Sequence, residues 1–450
     1  MGGFSARGSV SVAPYVTVRE GAPGARQERG WSAQQALVVA LCFVINMLDG
    51  MDVLILSYIA PSLSADWGVR PDRLGVVFSA GLAGMAIGGL FVAPLADRYG
   101  RRRLILVSIV LMTAAMIASG FADTIGHLIA LRLMVGIGIG AVLASMAALT
   151  AEYAPPRHRD FAVGFLQAGY PIGATITGFV VAWQLPIHGW HAMLLGAGLL
   201  SAATIPVVAL LLPESMDFLA RRQPAGALPR INRLRRRFGQ EPLARLPDIT
   251  QEAAAEAGPR GLFAQGRTGS TLLLWLAIIL CFMTLYFVIS WIPKLAVEAG
   301  LDTADAIYAG AIYNIGAFFG TASIGLIAAK VDLRRLIFLY LLGAAAALIL
   351  FGSGVLPLGP LLIAAFLIGV AVQGGFNGLY PLAARLYPAE ARGTGIGWAM
   401  GVGRIGAVIG PLLGGWLLAA EVSLPVIFVV FAVPVVLGGA CVLLIRTGPR

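Results

Sequence analysis

Charged residues are scarce in this sequence. Asp, Glu, Lys and Arg make up only 12% of its 450 residues, whereas 58% are hydrophobic. Soluble proteins carry roughly a quarter charged residues, so the composition excludes an ordinary soluble protein. It predicts an all-α integral membrane protein, because the apolar runs are far longer than the roughly 10-residue alternating segments of a transmembrane barrel.

Cysteine and histidine are also rare, at three and four residues. Cys42, Cys281 and Cys441 all fall within apolar runs, and no pair has the spacing of metal ligands. A disulfide or zinc framework is therefore disfavoured. We find no arrangement of Ser, His and Asp for hydrolysis and no phosphate-binding motif, so the sequence predicts neither an enzyme nor a bound metal or cofactor.

Apolar segments long enough to cross about 30 Å of hydrocarbon as helices recur along the whole chain. Twelve spans are predicted, at about 33–60, 72–95, 104–121, 124–151, 160–184, 191–212, 270–296, 304–329, 334–353, 357–386, 393–420 and 422–446. In chain order, the sequence predicts a flexible tail, a six-helix bundle, a linker, a second six-helix bundle and a tail, at 1–32, 33–212, 213–269, 270–446 and 447–450.

The net charge of +10 reflects where the basic residues sit. Lys and Arg concentrate in the tails and in the loops that follow even-numbered spans, and only Arg70, Arg73 and Lys294 fall on the other side. This asymmetry is the positive-inside rule and places both termini in the cytoplasm. The basicity thus needs no nucleic-acid partner, and the block "RINRLRRRFG" is interpreted as a solvated, lipid-facing linker rather than a specific binding site.

The two predicted bundles carry an internal repeat. At an offset of 233 residues, "ADRYGRR" aligns with "AKVDLRR", Pro155 with Pro388, and Gly173 with Gly406. Because two unrelated loops agree on one register, duplication of a six-helix unit is the simplest account. Such repeats place a substrate near the bilayer midplane and expose it to each side in turn.

The loop after the second span, "GGLFVAPLADRYGRRRLIL", resembles the signature loop of the major facilitator superfamily. In that family its acid and basic residues are thought to latch the cytoplasmic ends of the two halves; here they are Asp97, Arg98, Arg101 and Arg102. Physical reasoning agrees, because a charged cluster at helix ends can pair in one conformation and separate in the other. The second copy of the loop has Lys330 in place of the acid.

Five ionisable residues fall inside predicted spans, where each costs about 2.5–3.5 kcal/mol on insertion scales. Asp49 and Asp52, in "DGMD", are three residues apart and lie on one helix face. Two nearby carboxylates in a low-dielectric setting cannot both ionise cheaply, so the pair is interpreted as a proton carrier; the alternative is that each neutralises an arginine. Glu152, ending the fourth span, is interpreted as a structural partner of nearby arginines or a gating residue.

Arg132 and Arg404, in the fourth and eleventh spans, complete this set. A planar guanidinium suits bidentate capture of a carboxylate. The glycines that flank Arg404 would let a ligand approach its helix closely. Both are candidate substrate-binding residues. Arg404 is preferred as the one that binds the ligand and Arg132 as the partner of an Asp, with a helix-bracing role as the alternative for each.

Aromatic and amide side chains occur together in the second half of the sequence. An amide facing lipid would lack hydrogen-bond partners, so Asn314 and Asn377 are expected to face a cavity or a helix contact. Trp291, next to Pro293, is instead expected at the lipid interface. Rings and amides near an arginine suggest a flat aromatic ligand with a carboxylate. The candidate binding residues on these helices are Tyr313, Asn314, Phe318, Phe376, Asn377 and Tyr380.

Four stretches resemble the aromatic acid:proton symporter family of the major facilitator superfamily: "DGMDVLILSYIAPSL", "SWIPKL", "YNIGAFFG" and "RGTGIGWAMGVGRIGAVIGPLLGG". The resemblance covers about 36–446. It implies uptake of an aromatic carboxylate, such as a hydroxybenzoate, with protons across a bacterial inner membrane. The carrier is expected to work as a monomer. The residues that match the family's acids and arginines are Asp49, Asp52, Asp97, Arg132 and Arg404.

Two alternatives stay open. A proton-coupled antiporter that exports an organic anion or a drug would share the fold, but exporters often carry a Gly-Pro motif in the fifth span, whereas "GPLLGG" lies in the eleventh here. A sensor of aromatic acids would need a signalling domain, and none is recognised in the sequence.

Overall fold

The computed structural model describes residues 31–238, 241–246, 262–263, 266–328, 330–353, 357–388 and 391–446. Over these residues every regular element is helical. The helices are α1 (Ala33–Trp67), α2 (Pro71–Ile87), α3 (Ala96–Tyr99), α4 (Arg101–Ser119), α5 (Ile125–Tyr153), α6 (Arg159–Leu211), α7 (Met216–Arg222), α8 (Ala227–Arg237), α9 (Thr268–Glu298), α10 (Thr303–Ile327), α11 (Leu333–Gly352), α12 (Leu358–Leu386), α13 (Arg392–Ala419) and α14 (Leu424–Leu444). The parts of the predicted tails and linker at 1–30, 239–240, 247–261, 264–265 and 447–450 lie outside the described residues.

Eleven segments of the described chain are long and apolar enough to cross a membrane: α1, α4 to α6, α9 to α14, and the continuous segment that holds α2 and α3. This confirms the prediction of an all-helical membrane protein. The count is eleven because the predicted spans 160–184 and 191–212 fall in one helix, α6, of 53 residues. An unbroken helix of 53 residues would be about 80 Å long, more than twice the hydrocarbon thickness, but α6 is not unbroken. Its backbone leaves the helical conformation at Gly189, where φ is 73° and ψ 171°.

Local sequence signals fix several of the helix ends. α1 begins with a capping box, in which Ser32 Oγ accepts from the Gln35 amide at 3.2 Å and the Gln35 side chain accepts from the Ser32 amide at 3.0 Å. α2 continues through a π-helical turn, Gly88–Val92, towards α3. Between α3 and α4, Gly100 has a φ of 101°, a conformation that favours glycine, and the signature loop turns there.

Glycines let paired helices pack backbone to backbone. A Cβ at Gly173 on α6 would collide with the carbonyl oxygen of Met47 on α1. A Cβ at Gly406 on α13 would collide in the same way with the carbonyl oxygen of Ile279 on α9. Gly173 and Gly406 are 233 residues apart, so positions that the repeat relates make corresponding contacts.

Hydrogen bonds also join helices from the two predicted bundles. The Ser57 hydroxyl on α1 lies 2.8 Å and 2.9 Å from the carbonyl oxygens of Ile289 and Ser290 on α9. Ser79 on α2 donates to the carbonyl oxygen of Val408 on α13 at 2.7 Å. Ser57 and Ser290 are themselves 233 residues apart. Residues related by the repeat therefore meet where the two parts of the chain touch.

Trp291 lies at the same contact. Its side chain is fully buried, its indole N–H donates to the carbonyl oxygen of Pro411 at 3.1 Å, and its ring meets Phe78 edge-on at 5.3 Å. The prediction that Trp291 faces the lipid interface is wrong, because a buried backbone carbonyl supplies the hydrogen-bond partner that interfacial water would otherwise provide.

Candidate functional site

A cavity of about 150 Å³ lies between helices of the two predicted bundles, mainly α1, α6, α9, α10, α12 and α13. One of the two predicted first-span acids, Asp49, lines it. Five of the eight predicted binding residues also line it: Asn314, Phe376, Asn377, Tyr380 and Arg404. Asp49 and Arg404 are the only charged residues among the described residues of its wall.

Arg404 reaches the cavity from α13 and makes no ion pair with a described residue. Its Nη1 lies 3.2 Å from the Tyr286 hydroxyl and 3.7 Å from the sulfur of Met85, and its guanidinium lies 5.7 Å from the centre of the Phe282 ring. Gly403 allows this placement, because a larger residue there would collide with Phe282. The guanidinium is therefore held by an aromatic and a phenol, and its charge is available to an anion.

Aromatic rings and amides form the rest of the wall. Phe376 packs against Phe282 at 4.6 Å and meets Tyr380 nearly at right angles at 5.8 Å. Asn377 donates to Thr321 at 2.6 Å, and Asn314 donates to a backbone carbonyl of its own helix at 2.9 Å. Both amides thus have partners and still border the cavity, which combines apolar faces with a few fixed polar groups.

The two first-span acids are separated by the structure. Asp49 lines the large cavity, whereas Asp52 lines a smaller one of about 40 Å³ together with Arg132. Oδ1 of Asp49 and both carboxylate oxygens of Asp52 are buried without a hydrogen-bond donor among the described residues. Gly50, between the acids, packs against the backbone of Tyr170 on α6, so this part of α1 is held tightly.

Arg132 belongs to this smaller cavity and not to the large one. Its guanidinium donates to the Ser119 hydroxyl at 3.1 Å, to the sulfur of Met116 at 2.9 Å and to the backbone carbonyl of Asp52 at 3.5 Å. The side chain is 3% exposed. Arg132 thus lies beside Asp52 as a neighbouring charge, without a hydrogen bond to its carboxylate.

Two other predicted binding residues are not part of the described wall. Tyr313 is 1% exposed, and its hydroxyl has no hydrogen-bond partner among the described residues. Phe318 packs edge-on against Phe319 at 5.6 Å. Both belong to α10, whose cavity-lining positions are Asn314, Ala317 and Thr321.

Several wall residues were not predicted from the sequence; among them are Asn46, Tyr170, Phe282, Tyr286 and Thr321. The repeat carries a signal for some of them. The 233-residue offset relates Asp49 to Phe282, and both line the cavity; the same holds for Pro171 and Arg404. Applying the offset to each predicted residue would have found Phe282.

The basic residues of the signature loop gather around buried acids. Arg101 lies 2.9 Å from Glu152 and 3.8 Å from Asp217. Glu152 also accepts from the Ser215 hydroxyl at 2.7 Å and from the Asp217 amide at 3.0 Å. Glu152 therefore ties the end of α5 to the start of α4 and to α7.

The other predicted gating residues make separate contacts. The Arg102 amide donates to Glu214 at 3.0 Å, and the Arg98 guanidinium lies 5.3 Å from the ring centre of Tyr99. The Asp97 side chain is exposed. Within the described residues, every ion pair, hydrogen bond and ring contact described for these loop residues is made with a residue that precedes 223. In this conformation the loop therefore pairs with its own part of the chain and the linker.

Replacing Glu152 with Gln is expected to lower the free energy of unfolding by about 2 kcal/mol, because it weakens charged hydrogen bonds of a side chain that is only 8% exposed. Denaturation in a mild detergent measures this. The matched control is Asp72→Asn, which removes an exposed ion pair with Arg70 and should cost less than about 1 kcal/mol. Equal losses in the two variants would argue against a structural role for Glu152.

The sequence is similar to those of known transporters. The family model of the Major Facilitator Superfamily matches residues 42–356 and 274–450. A gallate transporter of Pseudomonas putida is 35% identical over 90% of this chain and 90% of its own length. A 4-hydroxybenzoate transporter of Pseudomonas aeruginosa is 33% identical over 92% of this chain and 93% of its own length.

A solved structure has the same fold. The xylose transporter XylE from E. coli, in a partially occluded inward open conformation, superposes with a TM-score of 0.72 over 91% of this chain and 97% of that chain. The two sequences are 17% identical, so this likeness concerns the fold alone.

Proposed function

This chain belongs to the Major Facilitator Superfamily, and on that premise we propose that it imports an aromatic carboxylate together with protons across a bacterial inner membrane. The superfamily is one of transporters, so the chain is not an enzyme. Gallate and 4-hydroxybenzoate, which the relatives' names give as their substrates, are both aromatic carboxylates. Those names support the proposed substrate class.

The proposed architecture has twelve membrane crossings in two six-helix bundles. The break in α6 at Gly189 supports two crossings there. The contacts between α4 and the last part of α6 support them too. Arg102, at the start of α4, donates to the carbonyl oxygen of Ala209, and Gly120, just after α4, lies against Leu195. The last part of α6 thus runs antiparallel to α4. Helix pairing supports the two bundles, because α1 packs on α6 as α9 packs on α13, and α2 packs on α5 as α10 packs on α12.

The observation that carries the proposal is Arg404, a guanidinium without a carboxylate partner in a cavity walled by rings and amides. A substrate carboxylate would accept hydrogen bonds from Arg404. Its ring would pack among Phe282, Phe376 and Tyr380, whose faces lie at different angles around the same space. Asn314 and Asn377 are placed to meet ring hydroxyls.

Proton coupling is assigned to Asp49. Charged Asp49 and the substrate carboxylate compete for the single guanidinium of Arg404, because Asp49 and Arg404 line the cavity in which the substrate would bind. A proton on Asp49 removes this competition, so proton and anion bind together. Asp52 and Arg132, in the separate cavity, act as a buried pair that balances charge.

The proposed transport cycle rests on which ends of the helices are in contact between the two bundles. With both termini in the cytoplasm, the hydrogen bonds of Ser57 and Ser79 between the bundles lie towards the outer face, so this conformation is closed outside. The residues Asp97, Arg98, Arg101 and Arg102 would pair across the bundles when the outer face opens. A monomer suffices for this cycle, because both bundles belong to one chain.

In proteoliposomes, the purified chain is expected to accumulate 4-hydroxybenzoate when the outside is acidic. For one proton per anion, a gradient of two pH units supports up to about 100-fold accumulation, since one pH unit is worth about 1.4 kcal/mol. Protein-free liposomes control for passive entry of the neutral acid, and phenol controls for the carboxylate. An antiporter would instead release preloaded substrate under the same gradient, which would contradict import.

A further inference from the structure

A separate, strongly basic pocket of about 760 Å³ lies at the surface beside α4, the end of α6 and α8. It shares no lining residue with the cavity of about 150 Å³ that Asp49 and Arg404 line, which is called the central cavity below. Its arginines come from α3, the start of α4 and the linker helix α8. They are Arg98, Arg102, Arg103, Arg230, Arg233 and Arg237. Arg98 and Arg102 also belong to the proposed cytoplasmic latch, but the transport cycle gives no role to Arg103 or to the three arginines of α8 in this arginine pocket.

Three of the five arginines of the linker helix α8 lie on one face. Arg230, Arg233 and Arg237 are spaced by three and four residues, which brings them to one side of a helix. A different face of α8 is anchored, because Ala227 and Ile231 are 2% and 3% exposed. α8 is therefore fixed with its basic face towards α4.

The positive charge in the arginine pocket has little internal compensation. Arg103, Arg230, Arg233 and Arg237 are exposed, and none of them has an ion pair among the described residues. The one acid in the described lining is Glu214, whose Oε1 already accepts from two backbone amides. Several guanidinium groups thus surround one space, which favours an anion with several oxygens.

One side of the arginine pocket is apolar and belongs to membrane-spanning helices. Val107 on α4 and Leu210 on α6 line it and are 61% and 82% exposed. Leu211 continues this apolar strip. The arginines and the strip together match a molecule that has a phosphate at one end and hydrocarbon at the other.

We propose that the arginine pocket binds the phosphate headgroup of an anionic membrane phospholipid, with acyl chains along Val107, Leu210 and Leu211. Guanidinium groups suit bidentate phosphate recognition, and basic pockets beside membrane helices at the cytoplasmic face hold anionic headgroups. The block "RINRLRRRFG" is then part of a specific lipid site, and not only a solvated linker as the sequence alone suggested.

Native mass spectrometry of the full chain in a neutral detergent tests this, with phosphatidylglycerol and phosphatidylcholine of equal chain length as probes. We expect phosphatidylglycerol to bind more tightly. The double variant Arg230→Gln, Arg233→Gln should bind it about thirtyfold more weakly, from about 1 kcal/mol for each arginine near an anionic surface. The matched control, Arg221→Gln with Arg236→Gln, removes the same charge from residues outside the pocket and should bind like the wild type.

Three results would overturn the proposal. They are equal binding of the two lipids, equal weakening in the test and control variants, and displacement of phosphatidylglycerol by an equal concentration of inorganic phosphate, which would indicate a soluble anion. An unchanged thermal unfolding midpoint in phosphatidylcholine verifies that the double variant is folded, so that a loss of binding is a property of the site.

Discussion

The Arg404→Gln variant is expected to bind 4-hydroxybenzoate at least about thirtyfold more weakly than the wild type and to lose uptake. Arg404 is the only cation among the described residues of the central cavity, so no other described side chain there can replace its charge. Removing one partner of a buried, hydrogen-bonded charge pair costs about 2–5 kcal/mol, and the lower figure already corresponds to about thirtyfold. Isothermal titration calorimetry on purified protein measures this loss directly.

Two further variants make the result specific. Arg404→Lys keeps the charge but loses the planar fork of donors, so its affinity should lie between those of the wild type and the Gln variant. Arg70→Gln removes an exposed arginine that does not line the cavity and should bind normally. Wild-type affinity in Arg404→Gln would mean that the carboxylate is held elsewhere.

Arg404, Asn377 and Asn314 could be predicted as cavity residues because each is a charged or amide side chain within an otherwise apolar span. A charge or amide in an apolar span is too costly to face lipid, so it must face protein or a cavity. The repeat extended this logic, since the offset found in two loops also relates Ser57 to Ser290 at the contact between the bundles.

The cost of placing a polar group in lipid does not predict how Tyr313 and Phe318 are oriented, and neither residue lines the described wall of the cavity. The cavity face of α10 is set by Asn314, Ala317 and Thr321, which are three and four residues apart. Tyr313 precedes this face and Phe318 follows one of its members, so each is turned by about 100° from a lining position. α10 is apolar on all sides, and no periodicity in the sequence distinguishes the face towards the cavity from the face towards another helix.

Asp49 and Asp52 show a finer limit of the same kind. Their spacing places both on one face of α1, but it also separates them by about 4.5 Å along the helix axis. That distance is enough for the boundary between two cavities to pass between them. The sequence predicts an acid pair, whereas the structure gives each acid its own arginine-containing cavity.

This separation predicts different results for the two acids. In Asp49→Asn the side chain can no longer become charged, so pH-gradient-driven accumulation should be lost, while exchange of labelled for unlabelled substrate continues. In the wild type, substrate affinity should fall as pH rises, because Asp49 then loses its proton and competes for Arg404; in Asp49→Asn affinity should not change over this range. Uptake, exchange and calorimetry at several pH values measure the three quantities.

Asp52→Asn is the matched control, since it makes the same chemical change one helical turn away. It should keep pH-driven accumulation but lower the free energy of unfolding by about 3–5 kcal/mol, because it leaves Arg132 as an uncompensated buried charge. The double variant Asp52→Asn, Arg132→Met should recover part of that loss. Accumulation that survives in both single variants would contradict coupling through these acids, and loss only in Asp52→Asn would transfer the coupled proton from Asp49 to Asp52.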